Sequence, residues 1–235
     1  MAKEPTTSGL PIDILPAEYG VQHFSDALRT FVAQYGKATP RYTAHCSDHD
    51  IQLNVNRVHV WHVAKFNTLD VQLGKRMTHD IAHAAQSTVT SRGATTAARY
   101  DTVFVNDTGA EAVGIDGLRV ARLRLIFKIP DDLAASTFGG GVQPPEHLAY
   151  VEWFTRPRVK DGDHGMYPIA YSKDGNSGER TYAIIELSSV VRVCQLIPCF
   201  GAKVNRAWTS DTILDDCTSF LVSNWKDHLT YQTIY

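Results

Sequence analysis

Near the start of the chain, hydrophobic and polar positions follow a helical period. Between residues 17 and 36 the apolar side chains recur at helical spacing, at Phe24, Leu28, Phe31, Val32 and Tyr35. The pattern predicts an amphipathic helix with Ser25 or Asp26 as its cap and Gly36 at its end.

Beyond this helix the period changes toward that of strands. Residues 51–66 are rich in alternating β-branched side chains, which predicts one or two strands. Residues 78–88 fit a short helix, and residues 91–98 fit a flexible loop. Residues 1–12, which combine Pro, Thr, Ser and Gly, are predicted to form a flexible tail.

From residue 99 the pattern is that of an all-β segment. Strands are predicted at 99–107, 117–130, 147–156, 166–172 and 181–197. A long loop at 131–146 and a hairpin turn at 174–180 separate some of them. Strict alternation in the second strand predicts an apolar face formed by Leu123, Leu125, Phe127 and Ile129. The other face then carries Arg122, Arg124 and Lys128.

The chain is thus predicted to have a β-rich α+β fold. An N-terminal helix and a small strand section, residues 13–98, precede a compact β-barrel domain, residues 99–235. A short C-terminal helix is predicted around Ile213, capped by Thr209 or Ser210.

Composition and charge narrow the class of protein. The 235 residues are 43% hydrophobic and 20% charged, which is ordinary for a globular protein. The formal net charge of −2 argues against a strongly basic nucleic-acid binder, although it leaves room for a local basic patch. No apolar run is long enough for a membrane span, and the N-terminus lacks the apolar core of a secretory signal. With four cysteines in no disulfide-like pattern, we expect an intracellular protein.

Several sequence segments occur together in an order that is typical of one known group of proteins. The segments are residues 58–62 (VHVWH), 98–103 (ARYDTV), 120–127 (VARLRLIF), 148–155 (LAYVEWFT), 190–201 (VVRVCQLIPCFG) and 208–217 (WTSDTILDDC). They are similar to the C-terminal region of KDZ-type transposon proteins of basidiomycete fungi. Those proteins usually carry a cysteine-rich zinc-binding section and a transposase core before this region, and neither is found here. The resemblance therefore implies a nuclear tail module without transposition chemistry.

A second resemblance concerns the fold alone. The order of strands from residue 99 is similar to that of bromo-adjacent-homology (BAH) domains, SH3-like β-barrels associated with chromatin. Those domains bind histone tails or other proteins. The resemblance implies a protein partner, with function carried over only by analogy.

Aromatic side chains on two predicted strands offer one candidate binding site: Tyr150, Trp153, Phe154, Tyr167 and Tyr171. Aromatic faces attract cations, so an open ring of them would hold methyl-lysine. The other interpretation is that the same side chains pack in the core of the barrel.

Basic side chains offer an alternative site for nucleic acid: Arg119, Arg122, Arg124, Lys128, Arg156, Arg158 and Lys160. If their strands are neighbours, these side chains form one face that contacts phosphates. The other interpretation is an ordinary solvated face of a sheet.

Histidine and cysteine form a weaker candidate metal site: His45, Cys46, His49, His59 and His62. These are zinc-binding residue types, but their spacing matches no standard zinc finger, and we expect no metal. No phosphate-binding loop or G-x-S-x-G motif is present, so we predict neither a catalytic residue nor a cofactor. The sequence therefore predicts a non-catalytic binding module, with a nucleic-acid-binding accessory domain as the alternative.

Overall fold

A computed structural model describes residues 1–38, 53–70, 76–89, 91–108, 114–139, 143–201, 203 and 205–234. The fold is β-rich α+β with antiparallel sheets, as the sequence predicts. The helices are α1 (Leu15–Tyr19), α2 (Phe24–Ala38), α3 (Asp131–Phe138), α4 (Ile213–Asp216) and α5 (His228–Ile234). Single 3-10 turns lie at Ile115–Gly117 and Leu187–Ser189.

Most of the strands fall in the predicted regions. The first eight are β1 (Thr7–Pro11), β2 (Arg57–Trp61), β3 (Val63–Asp70), β4 (Arg76–Ala85), β5 (Thr88–Val89), β6 (Thr95–Thr96), β7 (Arg99–Tyr100) and β8 (Thr102–Asn106). The others are β9 (Leu118–Lys128), β10 (Leu148–Trp153), β11 (Tyr167–Ala170), β12 (Tyr182–Glu186), β13 (Val190–Cys194), β14 (Leu196–Pro198) and β15 (Ser219–Val222).

A seven-stranded sheet organises the molecule around β9. Its order is β1-β2-β9-β10-β12, and β8 pairs with both β9 and β13. The long strand β9 pairs with β8 through its first half and with β2 through its end. Strands from before and after residue 99 therefore share one sheet. Within the described residues these pairings form an open path, so the closed BAH-like barrel stays a prediction.

Other layers cover the two faces of the central sheet. Alternate residues of β10 enter different hydrophobic clusters, as a strand between two cores requires. One face packs against α2 and, farther along, against the small sheet β11-β15-β14. The opposite face packs against β3 and β4, whose Ala64, Ala82 and Ala84 are buried there. Between α2 and the small sheet, the first face carries charged side chains.

A β-bulge in β9 changes the predicted alternation. Leu125 pairs with Tyr150 and Leu123 pairs with Val151, which leaves Arg124 as an extra residue in β9. Leu123 therefore packs with β3 and β4, while Leu125 packs on the α2 side. The predicted apolar face is confirmed for Leu125, Phe127 and Ile129, which share one cluster, and wrong for Leu123, because strict alternation ignores the bulge.

Three local predictions are also wrong. Residues 7–11 of the predicted flexible tail form β1, which pairs with β2 as an edge strand. Residues 131–138 of the predicted loop form α3, with Asp131 and Asp132 in its first turn, where carboxylates are favourable. Most of residues 78–88 lie in strand β4 because pairing with β3 overrides a weak helical pattern. Helix α2 also continues past Gly36 to Ala38.

None of the helices within the described residues is long and apolar enough to cross a membrane.

Candidate functional site: a buried arginine band beside a cleft

The candidate aromatic residues are buried and divided among three clusters. Tyr150 packs on the α2 side and Trp153 on the side of β3 and β4. Phe154, Tyr167 and Tyr171 pack with the small sheet. Each of the five is at most 8% exposed. The predicted open cage is therefore wrong, because large aromatic side chains dominate the cores of these sheets.

The candidate basic residues do not form one open face. The guanidinium of Arg119 lies 4.5 Å from the ring centre of Trp153. Lys128 pairs with Asp131, and Arg156 pairs with Asp107. Arg122 and Arg124 point into the interior. Arg122 is 4% exposed, and the side chain of Arg124 is 12% exposed. Arg158 and Lys160 are exposed. The prediction of a continuous phosphate-binding face is wrong, because most of these cations already contact carboxylates or aromatic rings.

The candidate metal ligands are only partly described, since His45, Cys46 and His49 lie outside the described residues. His59 Nδ1 contacts the hydroxyl of Ser8 at 2.9 Å. His62 Nε2 contacts the hydroxyl of Tyr19 at 3.0 Å. Burial lowers the pKa of His62 and raises that of Tyr19 to about 12. No cluster of three metal-ligating side chains occurs in the part of the chain that the structure describes.

Instead, five charged side chains meet between α2 and the small sheet: Arg122, Arg124, Glu152, Arg180 and Asp215. We call them the arginine band. Arg122 donates two hydrogen bonds to the carboxylate of Asp215, at 2.7 and 3.2 Å. Arg180 donates to the same carboxylate at 2.9 Å and to Glu152 at 3.2 Å. Arg124 lies 3.9 Å from Glu152, which completes a chain of ion pairs.

Aromatic rings line this band. The guanidinium of Arg180 lies 3.8 Å from the ring centre of Tyr171, and that of Arg124 lies 4.2 Å from the ring centre of Tyr100. The hydroxyl of Tyr171 accepts a hydrogen bond from Arg122 at 3.4 Å. Buried cation–π contacts of this kind partly replace the lost hydration of the guanidinium groups.

Arg124, the bulged residue, is held by the backbone at the end of α1. Its guanidinium donates two hydrogen bonds to the carbonyl of Tyr19, at 2.7 and 3.2 Å, at the end of α1. The next residue, Gly20, has a φ of +68°. A Cβ at Gly20 would collide with Nη2 of Arg124. Glycine therefore serves both the turn and the close approach of the arginine.

The charges in the band do not balance. Three guanidinium groups face two carboxylates, which leaves one positive charge unmatched within the band. Burial alone would raise the pKa of Asp215, but hydrogen bonds and charge from Arg122 and Arg180 lower it. Burial alone would lower the pKa of Arg122, but the hydrogen bond with Asp215 raises it. Asp215 and Arg122 are therefore ionised near neutral pH. Nε of Arg122 is buried and has no hydrogen-bond partner among the described residues.

A cleft of about 610 Å³ adjoins the band at Arg122. Residues 96–102 form one wall, residues 193–196 a second, and Ser210, Asp211, Ile213 and Leu214 a third. Its volume lies in the usual range for ligand sites. Asp101, at its margin, accepts hydrogen bonds from the backbone of His83 and the side chain of Arg99. The cleft thus combines apolar walls with a buried cation.

A second buried network lies near the C-terminus, and we call it the Arg192 network. Arg192, 2% exposed, donates to both oxygens of Asp227 at 3.0 and 2.8 Å. Its Nε lies 3.2 Å from Asp80, close enough for an ion pair though not aligned as a hydrogen bond. Lys226 donates to Asp80 at 2.9 Å. Two cations and two carboxylates therefore match, and the network ties β4, β13 and the C-terminal segment together.

The comparisons with known proteins identify the family. Residues 1–164 match the model of a family described as a domain of unknown function (DUF6830). The chain belongs to the DUF6830 family. Neither a curated protein nor a solved structure matches it. The DUF6830 match includes Arg122, Arg124 and Glu152, whereas Arg180, Asp215 and two walls of the cleft follow it in the chain.

Sequence reasoning found part of this site. It selected Arg122 and Arg124 as exposed cations, and it did not select Arg180, Asp215 or Tyr100 for a binding site. The available signal is the placement of Arg122 and Arg124 in the otherwise apolar middle of a strand, because buried cations require partners elsewhere in the chain. Nothing in the spacing indicates that those partners follow about 30 and 90 residues later.

Proposed function

We propose that this DUF6830 chain is a non-catalytic binding module whose cleft receives a segment of a protein partner. The cleft beside Arg122 is the observation that carries the proposal. A histone tail or a transposition protein remains our candidate partner, and a nuclear location follows from the same resemblance. The proposal keeps the class of partner expected from sequence and moves the site from the aromatic residues to the cleft.

The cleft has features that suit a short peptide. Its walls include backbone from residues 96–102 and 193–196, and apolar side chains such as Ile213 and Leu214. Backbone groups and apolar pockets are what extended peptides commonly use. Thr96 and Ala97, which line the cleft, are exposed, so a partner can approach there.

The basic residues give less support to a nucleic-acid interface. Most of the selected cations already contact carboxylates, carbonyls or rings. A surface that binds phosphates needs cations that can release counterions, and paired side chains do this poorly. We therefore treat nucleic-acid binding as an outcome that the experiment must be able to reveal.

A selection experiment tests the proposal. The purified chain is screened against histone-tail peptides and a library of random peptides, and affinities are measured by fluorescence anisotropy. Ala97→Trp fills the cleft from an exposed wall position, and Ala135→Trp makes the same change at an exposed site on α3. We expect selected peptides to lose at least about tenfold in affinity with Ala97→Trp and almost none with Ala135→Trp.

Two results contradict the proposal. Either no peptide is enriched, or enriched peptides bind Ala97→Trp as well as the unchanged chain. A DNA duplex measured in parallel at two salt concentrations tests the alternative. Binding of DNA that falls steeply with salt, without peptide binding, would favour a nucleic-acid interface.

A further inference from the structure

We propose that the cleft recognises a carboxylate of its ligand, held at Arg122. This inference rests on the proposed function and specifies the chemistry of the ligand. It assigns to the unmatched charge of the arginine band a role in recognition. The ligand class is a peptide segment with an acidic residue, which favours a transposition protein over a lysine-rich histone tail as the partner.

The arginine band carries one positive charge more than its carboxylates balance. The band holds three guanidinium groups and two carboxylates, at ion-pair distances of 2.7 to 3.9 Å. A buried charge without a counter-charge is costly, and a ligand anion that supplies the counter-charge removes that cost. Because the shortfall is one charge, a singly charged carboxylate matches it better than a phosphate, which carries nearly two charges near neutral pH.

Arg122 also has a nitrogen without a hydrogen-bond partner among the described residues. Arg122 is 4% exposed and lines the cleft, and its Nε is buried without a hydrogen-bond partner among the described residues. Its two Nη atoms are engaged by Asp215. Nε is therefore the one nitrogen of this guanidinium without a hydrogen-bond partner among the described residues, and a carboxylate oxygen is a strong acceptor for it.

Other charges around the cleft are already used or exposed. Asp101 is paired with Arg99, and Lys226 is paired with Asp80. Asp211 is exposed, as Asp215 is, so water screens its charge more than that of the buried Arg122, Arg124 and Glu152. Arg192 also has buried Nε and Nη1 atoms without hydrogen-bond partners among the described residues, but its charge is matched and it does not line the cleft. These differences single out Arg122.

Three capped tripeptides provide the test: acetyl-Ala-Glu-Ala-amide, its Gln analogue and its phosphoserine analogue. Affinities are measured by NMR from the backbone amide shifts of the cleft walls. We expect the Glu peptide to bind about fivefold more tightly than the Gln peptide. Arg122→Lys keeps the charge but removes Nε, so it should lower that ratio. Asp215→Asn removes a competing anion and should raise it, which provides a second variant if Arg122→Lys does not fold.

Each contrary result has a distinct meaning. Equal binding of the Glu and Gln peptides, both lost in Ala97→Trp, would overturn the carboxylate and leave the peptide-binding module standing. Tighter binding of phosphoserine than of Glu would overturn the carboxylate in favour of a phosphate. Shifts outside the cleft, or none for any tripeptide, would overturn the site.

Discussion

The arginine band and the Arg192 network are built from the same residue types but differ in charge balance. In the Arg192 network, Arg192 and Lys226 are matched by Asp80 and Asp227. In the band, three arginines share Glu152 and Asp215. The balanced network joins three segments and touches the cleft through Lys226, although Arg192 itself does not line it, whereas the unbalanced band reaches the cleft at Arg122.

The contrast separates two uses of buried charge. A matched network is complete without a ligand, so its role is to hold segments in register. An unmatched network keeps an excess charge, which a ligand of opposite charge neutralises. The following predictions test this division, from the largest expected effect to the smallest.

The largest effect is expected in the Arg192 network. Arg192→Met removes the buried cation that Asp80 and Asp227 share and leaves them only Lys226, so it should lower the free energy of unfolding by about 3 kcal/mol. Lys128→Met is the matched control, because its partner Asp131 is exposed, and it should cost under about 1 kcal/mol. Denaturant unfolding measures both. A loss of less than about 1 kcal/mol for Arg192→Met would mean that the network does not hold the C-terminal segment.

The next effect concerns the position of Arg124. Gly20→Ala introduces a Cβ at a positive φ and displaces the guanidinium, so we expect a loss of about 2 kcal/mol. Gly165→Ala is the control, since Gly165 has a φ of +65° and open space around it. It should cost only about 1 kcal/mol. Equal losses in thermal or denaturant unfolding would show that Arg124 does not depend on Gly20.

A third prediction concerns acid stability. The pKa of Asp215 is lowered in the folded protein by Arg122 and Arg180, which outweigh burial. A lowered folded-state pKa adds stability above the ordinary value of 3.8, and this stability is lost as the pH falls below that value. Asp215→Asn should therefore reduce the dependence of stability on pH in this range. Denaturant unfolding at several pH values would refute the link if the two curves stayed parallel.

The smallest effect is expected for Arg158, an exposed member of the candidate basic residues. Arg158→Gln changes an exposed side chain outside the band, so it should alter stability by under about 0.5 kcal/mol and peptide affinity by less than twofold. Unfolding and anisotropy measurements check both. A large loss of DNA binding in this variant would instead support the nucleic-acid alternative.

The sequence predicted the β-rich class because runs of β-branched and aromatic residues, such as those in β8 and β10, are local information. It also selected Arg122 and Arg124, but as exposed cations. It did not predict the bulge at Arg124, since a bulge depends on the register with β10.

The remaining failures have the same physical origin. Strand β1 forms because β2 offers an edge, and the aromatic residues are buried because three layers meet around them. The partners of Arg122 are Asp215, on α4, and Tyr171, which follows β11. Both lie far along the chain, and only tertiary structure brings them to Arg122.

The most direct test compares both networks in one experiment. The Nε–H resonances of Arg122 and Arg192 are followed by NMR while acetate is added at constant ionic strength. We predict a saturable shift at Arg122 and none at Arg192, with a larger affinity in Asp215→Asn. A flat response at Arg122, or equal responses at both arginines, would contradict the claim that the unmatched band is a carboxylate site.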